Sequence, residues 1–281
     1  MASGSRAFLM ASLLALAGAA TLHLLVLLGI RGLWPAMIHL TLFGWITAMI
    51  LTVNYHMMPV FAARDFPYPR LIQLHWLVFT GGVALAVAGL LLGWPATVAA
   101  GLLLQSVGAV IFVANTMLLF VRGRRRAHPA LPPPIPDQPR VDRIGTQATK
   151  GAGLSLPFAL LLLLAVQLGW IRGAWVLAAE HLATLGWVML MIVGVAYHVL
   201  PRFSGRGVRG PAWARLQLLF HSAALLLMVP GLGLGWAWLF APGGLLMTVA
   251  VGLFAWTVWP TLHVLRPRPV VLPISLKEQP R

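Results

Sequence analysis

Residues 39–64, HLTLFGWITAMILTVNYHMMPVFAAR, return as residues 181–206, HLATLGWVMLMIVGVAYHVLPRFSGR. Twelve of the 26 positions are identical without a gap, among them His39/His181, Gly44/Gly186, Trp45/Trp187, Tyr55/Tyr197, His56/His198 and Pro59/Pro201. Just upstream, Ile30-Arg31-Gly32-Leu33-Trp34 is echoed by Ile171-Arg172-Gly173-Ala174-Trp175. A chain that repeats so long an apolar segment must build two equivalent units. Each unit carries two histidines in that segment, and ionisable groups within a membrane are costly and mark functional sites.

Composition identifies the solvent. Of 281 residues, 60% are hydrophobic and 9% charged. Eight segments can cross a hydrocarbon core of about 30 Å, near 8–30, 35–60, 71–93, 96–121, 154–171, 174–201, 212–238 and 241–265. No strands of alternating polarity suggest a barrel. The first segment is too long for a signal peptide and lacks a clean cleavage site. The fold class is therefore all-α: a polytopic membrane protein with eight transmembrane helices in two parallel four-helix repeats.

The repeats are placed at 1–122 and 154–266, with a linker at 123–153 and a tail at 267–281. The linker contains RGRRRAHPALPPPIPDQPR and is expected to be extended, partly polyproline II. Four is an even number, so both units take one orientation, as parallel repeats about a pseudo-twofold axis along the membrane normal.

Charge sets the sidedness. The side that receives the N-terminus also receives all but Arg31 and Arg172 of the 20 Lys+Arg, that is, 18. The positive-inside rule makes that side cytoplasmic, with both termini inside a bacterial-type plasma membrane. The net charge of +15 thus reads as topology, with anionic lipid as a secondary attraction. Nucleic-acid binding has no separate basic domain to carry it. The chain has no cysteine, which excludes disulfides, thiolate metal sites and covalent haem attachment.

Six of the nine histidines form a pattern. His39 and His181 lie near the outer ends of helices two and six, and His56 and His198 near the inner ends. Seventeen residues separate the members of each pair by about 25 Å and by roughly 100° around the helix. They predict an outer and an inner layer. His75 and His221 join the inner layer at the starts of helices three and seven, on a gapped match of Arg70-Leu71-Ile72-Gln73 to Arg215-Leu216-Gln217. Facing imidazoles on bundle helices can hold both axial positions of a haem iron. His39 with His181 is the expected haem pair. His56, His75, His198 and His221 are expected to hold a second haem, or copper or zinc. His23, His128 and His263 have no counterpart in the other unit.

His39-x-x-x-x-Gly44 and His181-x-x-x-x-Gly186-Trp187, each on a second helix ending near a proline and a basic turn, resemble the haem–copper oxidase subunit I superfamily. The stretch HLATLGWVMLMIVGVAYHVLPRFSGR is still more similar to short, oxidase-like and NnrS-type membrane proteins. The resemblance implies His39 and His181 as haem ligands, haem b as cofactor with copper as a second candidate, and nitric-oxide or electron-transfer chemistry. The chain departs from a full oxidase: it has two repeats rather than three, no adjacent His-His pair and no acidic proton path beyond Glu180. The expected function is a b-type haem protein for electron transfer or diatomic gas binding, with a redox partner or gas ligand and homo-oligomerisation as further expectations. If it is an enzyme, it is an oxidoreductase of the haem–copper type. The alternative is a copper, metal or haem transporter or assembly factor.

Overall fold

The computed structural model describes residues 3–125 and 135–262. His128, His263 and the C-terminal tail lie outside the described residues. Eight helices are long and apolar enough to cross a membrane: α1 (Gly4–Leu27), α2 (Arg31–Ala62), α3 (Pro69–Leu92), α4 (Pro95–Arg122), α5 (Gln138–Gln167), α6 (Trp175–Ser204), α7 (Pro211–Leu234) and α8 (Ala237–Leu262). The protein is an all-α, multi-pass membrane protein. A two-residue ribbon on the basic side pairs Arg64 with Arg125 and Asp65 with Arg124.

The same local signals set the helix ends in both halves. Pro69 and Pro211 open α3 and α7, where a missing N–H costs nothing. Gly93 and Gly235 close them in the left-handed conformation, at φ 68° and 70°, which only glycine adopts freely. Each matching pair is 142 residues apart, the same offset as His39/His181. The duplication therefore runs ungapped from α2/α6 through α3/α7.

Neither α2 nor α6 is a plain α-helix. Leu40–Thr47 and Leu182–Met189 are π-helical, each beginning just after the first repeated histidine. A π turn is rare and breaks the α-helical bonding register. Side chains from other helices reach backbone carbonyls there. Ser12 donates to the Trp45 carbonyl at 3.1 Å, and His221 Nε2 donates to the Leu185 carbonyl at 3.0 Å.

Glycine permits close helix contact within the units. A Cβ on Gly82 would lie 2.8 Å from the Gly101 carbonyl oxygen, so α3 and α4 meet backbone to backbone, the small-residue contact expected where no hydrophobic effect drives association. Between the units, α4 packs along α5 and the two π-helical segments touch. Trp187 is fully buried there. It donates to Thr47 Oγ1 at 3.0 Å and meets Phe112 edge-on at 5.8 Å.

Two expectations change. The linker expected to be extended through residue 153 is helical from Gln138 onward. Its second half, VDRIGTQATKGAG, lacks proline, and its buried Val141, Ile144, Gly145 and Ala148 recur at helical spacing. The pseudo-twofold expectation also fails: α4 packs on α5, but α8 and α1 make no contact of comparable extent. In the most apolar stretch of α4 and of α5, 44% of residues are buried, against 17% in α8 and α1. The main contact between the units joins unlike faces, α4 of the first to α5 of the second.

Candidate site between the repeats

The six candidate histidines go to separate places. His39 is buried inside the first unit. Its Nε2 accepts from the Gln105 amide on α4 at 3.0 Å, and its ring lies against Phe43. His181 donates Nδ1–H to the Leu177 carbonyl of its own helix at 2.8 Å. Each ring is thus held by a different neighbour, Gln105 for His39 and the Leu177 carbonyl for His181. The sequence explains why they differ: at the 142 offset, Gln105 of the first unit becomes Met247 of the second, which cannot donate to a histidine.

The inner layer separates as well. His56 is exposed. His75 is fully buried, with Nδ1 at 2.8 Å from the Tyr55 hydroxyl among the rings of Phe8, Phe79 and Phe112. The ungapped register matches His75 with Gln217, not His221. The tyrosine bond is kept, since Tyr197 donates to Gln217 Oε1 at 3.2 Å. His221 matches Phe79 and bonds the π-helical backbone of α6. The gapped alignment of these two histidines is therefore corrected by the matching helix ends. Among the described residues, no three His, Asp or Glu side chains form a metal-binding group.

His198 differs from the other five. It lines an open cavity of about 470 Å³ between α2, α4, α5 and α6, within the roughly 300–1,000 Å³ range of small-molecule and cofactor sites. Its Nδ1–H donates to Asp142 Oδ1 at 2.9 Å. Arg202 grips the same carboxylate with both terminal nitrogens, at 2.9 and 2.8 Å, and Gln138 adds a bond at 2.8 Å. Bidentate, charge-assisted bonds of this kind are the strong ones. Phe61 of the first unit stacks on the imidazole at 5.2 Å. The His198 Nε2 has only a 3.5 Å contact to Thr146 Oγ1.

Chain order accounts for the contrast with His56. Gly44 abuts Ala15 and Gly186 abuts Ser155, so α1 matches α5 at an offset of 140. Asp142 then corresponds to position 2 and has no acidic counterpart. No sequence motif marks Asp142 or Arg202. The signal available was one acid, four residues after Gln138, in a run that keeps helical periodicity.

The rest of the cavity wall is mostly apolar and sulfur-rich, with Met57, Met58 and Met117 beside Phe112 and Phe120, and with Asn54, Thr116 and Thr149 as polar side chains. Lys150 also lines it, two turns beyond Asp142, and has no hydrogen bond or ion pair among the described residues. Gly145 leaves room for the imidazole: a Cβ there would sit 3.1 Å from His198 Nε2 and 2.8 Å from the Gly194 carbonyl. Gly145→Ala is expected to push α5 from α6 and to weaken the His198–Asp142 bond, costing about 1–3 kcal/mol as an overpacked contact. A thermal unfolding series in detergent checks this, with Gly151→Ala, where the nearest atom is a Leu190 methyl at 3.5 Å, as the near-neutral control.

No protein-family model matches this chain, and no curated protein matches its sequence.

Proposed function

We propose that this protein binds b-type haem in the cavity between its repeats, with His198 as an iron ligand. The carrying observation is the hydrogen bond from His198 Nδ1–H to Asp142, which fixes the tautomer and leaves Nε2 as the lone-pair donor. Histidines that ligate metals characteristically hold the other ring nitrogen on a carboxylate or carbonyl in this way. The cavity residues fit the group chemically. Thioethers and aromatic rings suit an apolar macrocycle, and the unpaired Lys150 suits its anionic edge. Bound haem would supply one-electron chemistry or an iron site for a diatomic gas.

The chain's own residues hold and orient. Asp142 positions the imidazole through the Nδ1–H bond. Arg202 and Gln138 keep the carboxylate in place, and Phe61 stops the ring from turning. The reading agrees with the resemblance to haem–copper oxidase-like and NnrS-type proteins, but it moves the ligand from His39 and His181 to the inner side. Bacterial inner-membrane residence, cytoplasmic termini and a redox or gas partner belong to the same proposal.

Pyridine haemochrome analysis of protein expressed with haem precursor tests it. The expected result is close to one haem per chain in the parent, a large loss in His198→Ala, and retention in His56→Ala. Haem lost only in His39→Ala or His181→Ala would return the ligand to the outer layer. A parent protein free of haem would overturn the proposal.

A further inference from the structure

The two units meet through unlike faces, and such a contact leaves one copy of each face unused at the ends. Matching the repeats locates those faces. On α5, Gly153, Pro157, Leu160 and Leu164 are buried in a stripe that recurs at helical spacing. At the 140 offset they correspond to Leu13, Ala17, Ala20 and Leu24 of α1, all of them exposed. On α4, Leu102, Ser106 and Ala109 are buried and Val113 packs against the core. At the 142 offset they correspond to Gly244, Thr248, Val251 and Ala255 of α8, where the last three are exposed. No atom lies within 4 Å of a Cβ added at Gly244.

We propose that α8 of one copy packs against α1 of a second copy, repeating between chains the α4–α5 contact made within one. The two stripes are complementary in shape. Leu13 and Leu24 project from α1, whereas Gly244, Thr248 and Ala255 make a shallow, small-residue groove on α8, the pattern that lets membrane helices approach closely. The geometry also suits one membrane. α8 and α1 of neighbouring copies run antiparallel, as α4 and α5 do, so both copies keep the same orientation. Internal contacts set the register: Phe112 lies at Gly153, and Gln167 donates to the Pro95 carbonyl. Transferred by the two offsets, they bring Phe254 to Leu13 and Thr248 beside Ala17.

The cysteine-free chain allows a direct test. Full-length Thr248→Cys and Ala17→Cys, carrying different tags, are co-expressed and treated in membranes with a short bis-maleimide. A heterodimer is expected from the mixture and none from either variant alone, because the contact joins unlike faces. Thr21→Cys is the control. It is exposed, but its counterpart Leu161 stays exposed in the internal contact, so the expected cross-linking with Thr248→Cys is at least tenfold weaker. Adding Gly244→Trp, in space that is open within one copy, should abolish the heterodimer while leaving the unfolding temperature unchanged. No heterodimer, equal yield with Thr21→Cys, or dimers of Thr248→Cys alone would overturn the proposal and leave these faces to lipid or to a symmetric contact.

Discussion

Trp187→Ala should be the most destabilising single core substitution in the protein, at about 3–5 kcal/mol, the range for emptying a large aromatic site. Trp187 sits where the two repeats touch, fully buried, with its indole N–H on Thr47 and Phe112 against its ring edge. Its removal leaves a void between units and orphans the Thr47 hydroxyl. Trp187→Phe separates the two effects: it keeps most of the packing and loses the donor, for roughly 1 kcal/mol. The repeat partner Trp45 is only half buried, so Trp45→Ala should cost less than half as much. Thermal unfolding of the four proteins in one detergent ranks them. Equal losses at Trp45 and Trp187 would show that the unlike-face contact between the repeats is wrong.

Asp142→Asn is the second large effect. The carboxylate receives His198, both terminal nitrogens of Arg202 and the Gln138 amide. Its side chain is 24% exposed and that of Arg202 16% exposed. Removing one partner of a desolvated pair leaves the other charge uncompensated, at a cost of up to about 3 kcal/mol where burial is partial. Arg202→Gln should cost a similar amount. The double variant should cost clearly less than the sum, because the two residues act as one unit. Unfolding measurements on the two singles and the double supply that cycle. Asp142→Asn should also lower haem occupancy with the protein still folded, since His198 loses its anchor.

The membrane helices were legible because hydropathy and length decide them: no alternative fold satisfies eight such segments. The duplication was legible as well, down to the helix that carries the histidines. What could not be read was how side chains on matched positions diverge. His39 and His181 share a repeat position, but Gln105 on α4 captures one and Met247 offers nothing to the other. His56 and His198 diverge because the position that carries Asp142 in the second unit is Ala2 in the first. The proline-rich composition of the linker masked that continuation. The π-helical segments left no sequence signature that distinguishes them from α-helix. His75 and His221 share a residue type but not a repeat position, because the helix ends at Pro69/Pro211 and Gly93/Gly235 fix the offset at 142.

A cavity-rescue spectrum tests the role of His198 most directly. His198→Gly, expressed with haem precursor and purified, is expected to lack the Soret band of the parent and to regain it only when hemin is added together with imidazole, which can enter the space the side chain vacates. A His198→Gly spectrum identical to the parent's before any imidazole is added would contradict the assignment, because the iron would then be held by some other residue.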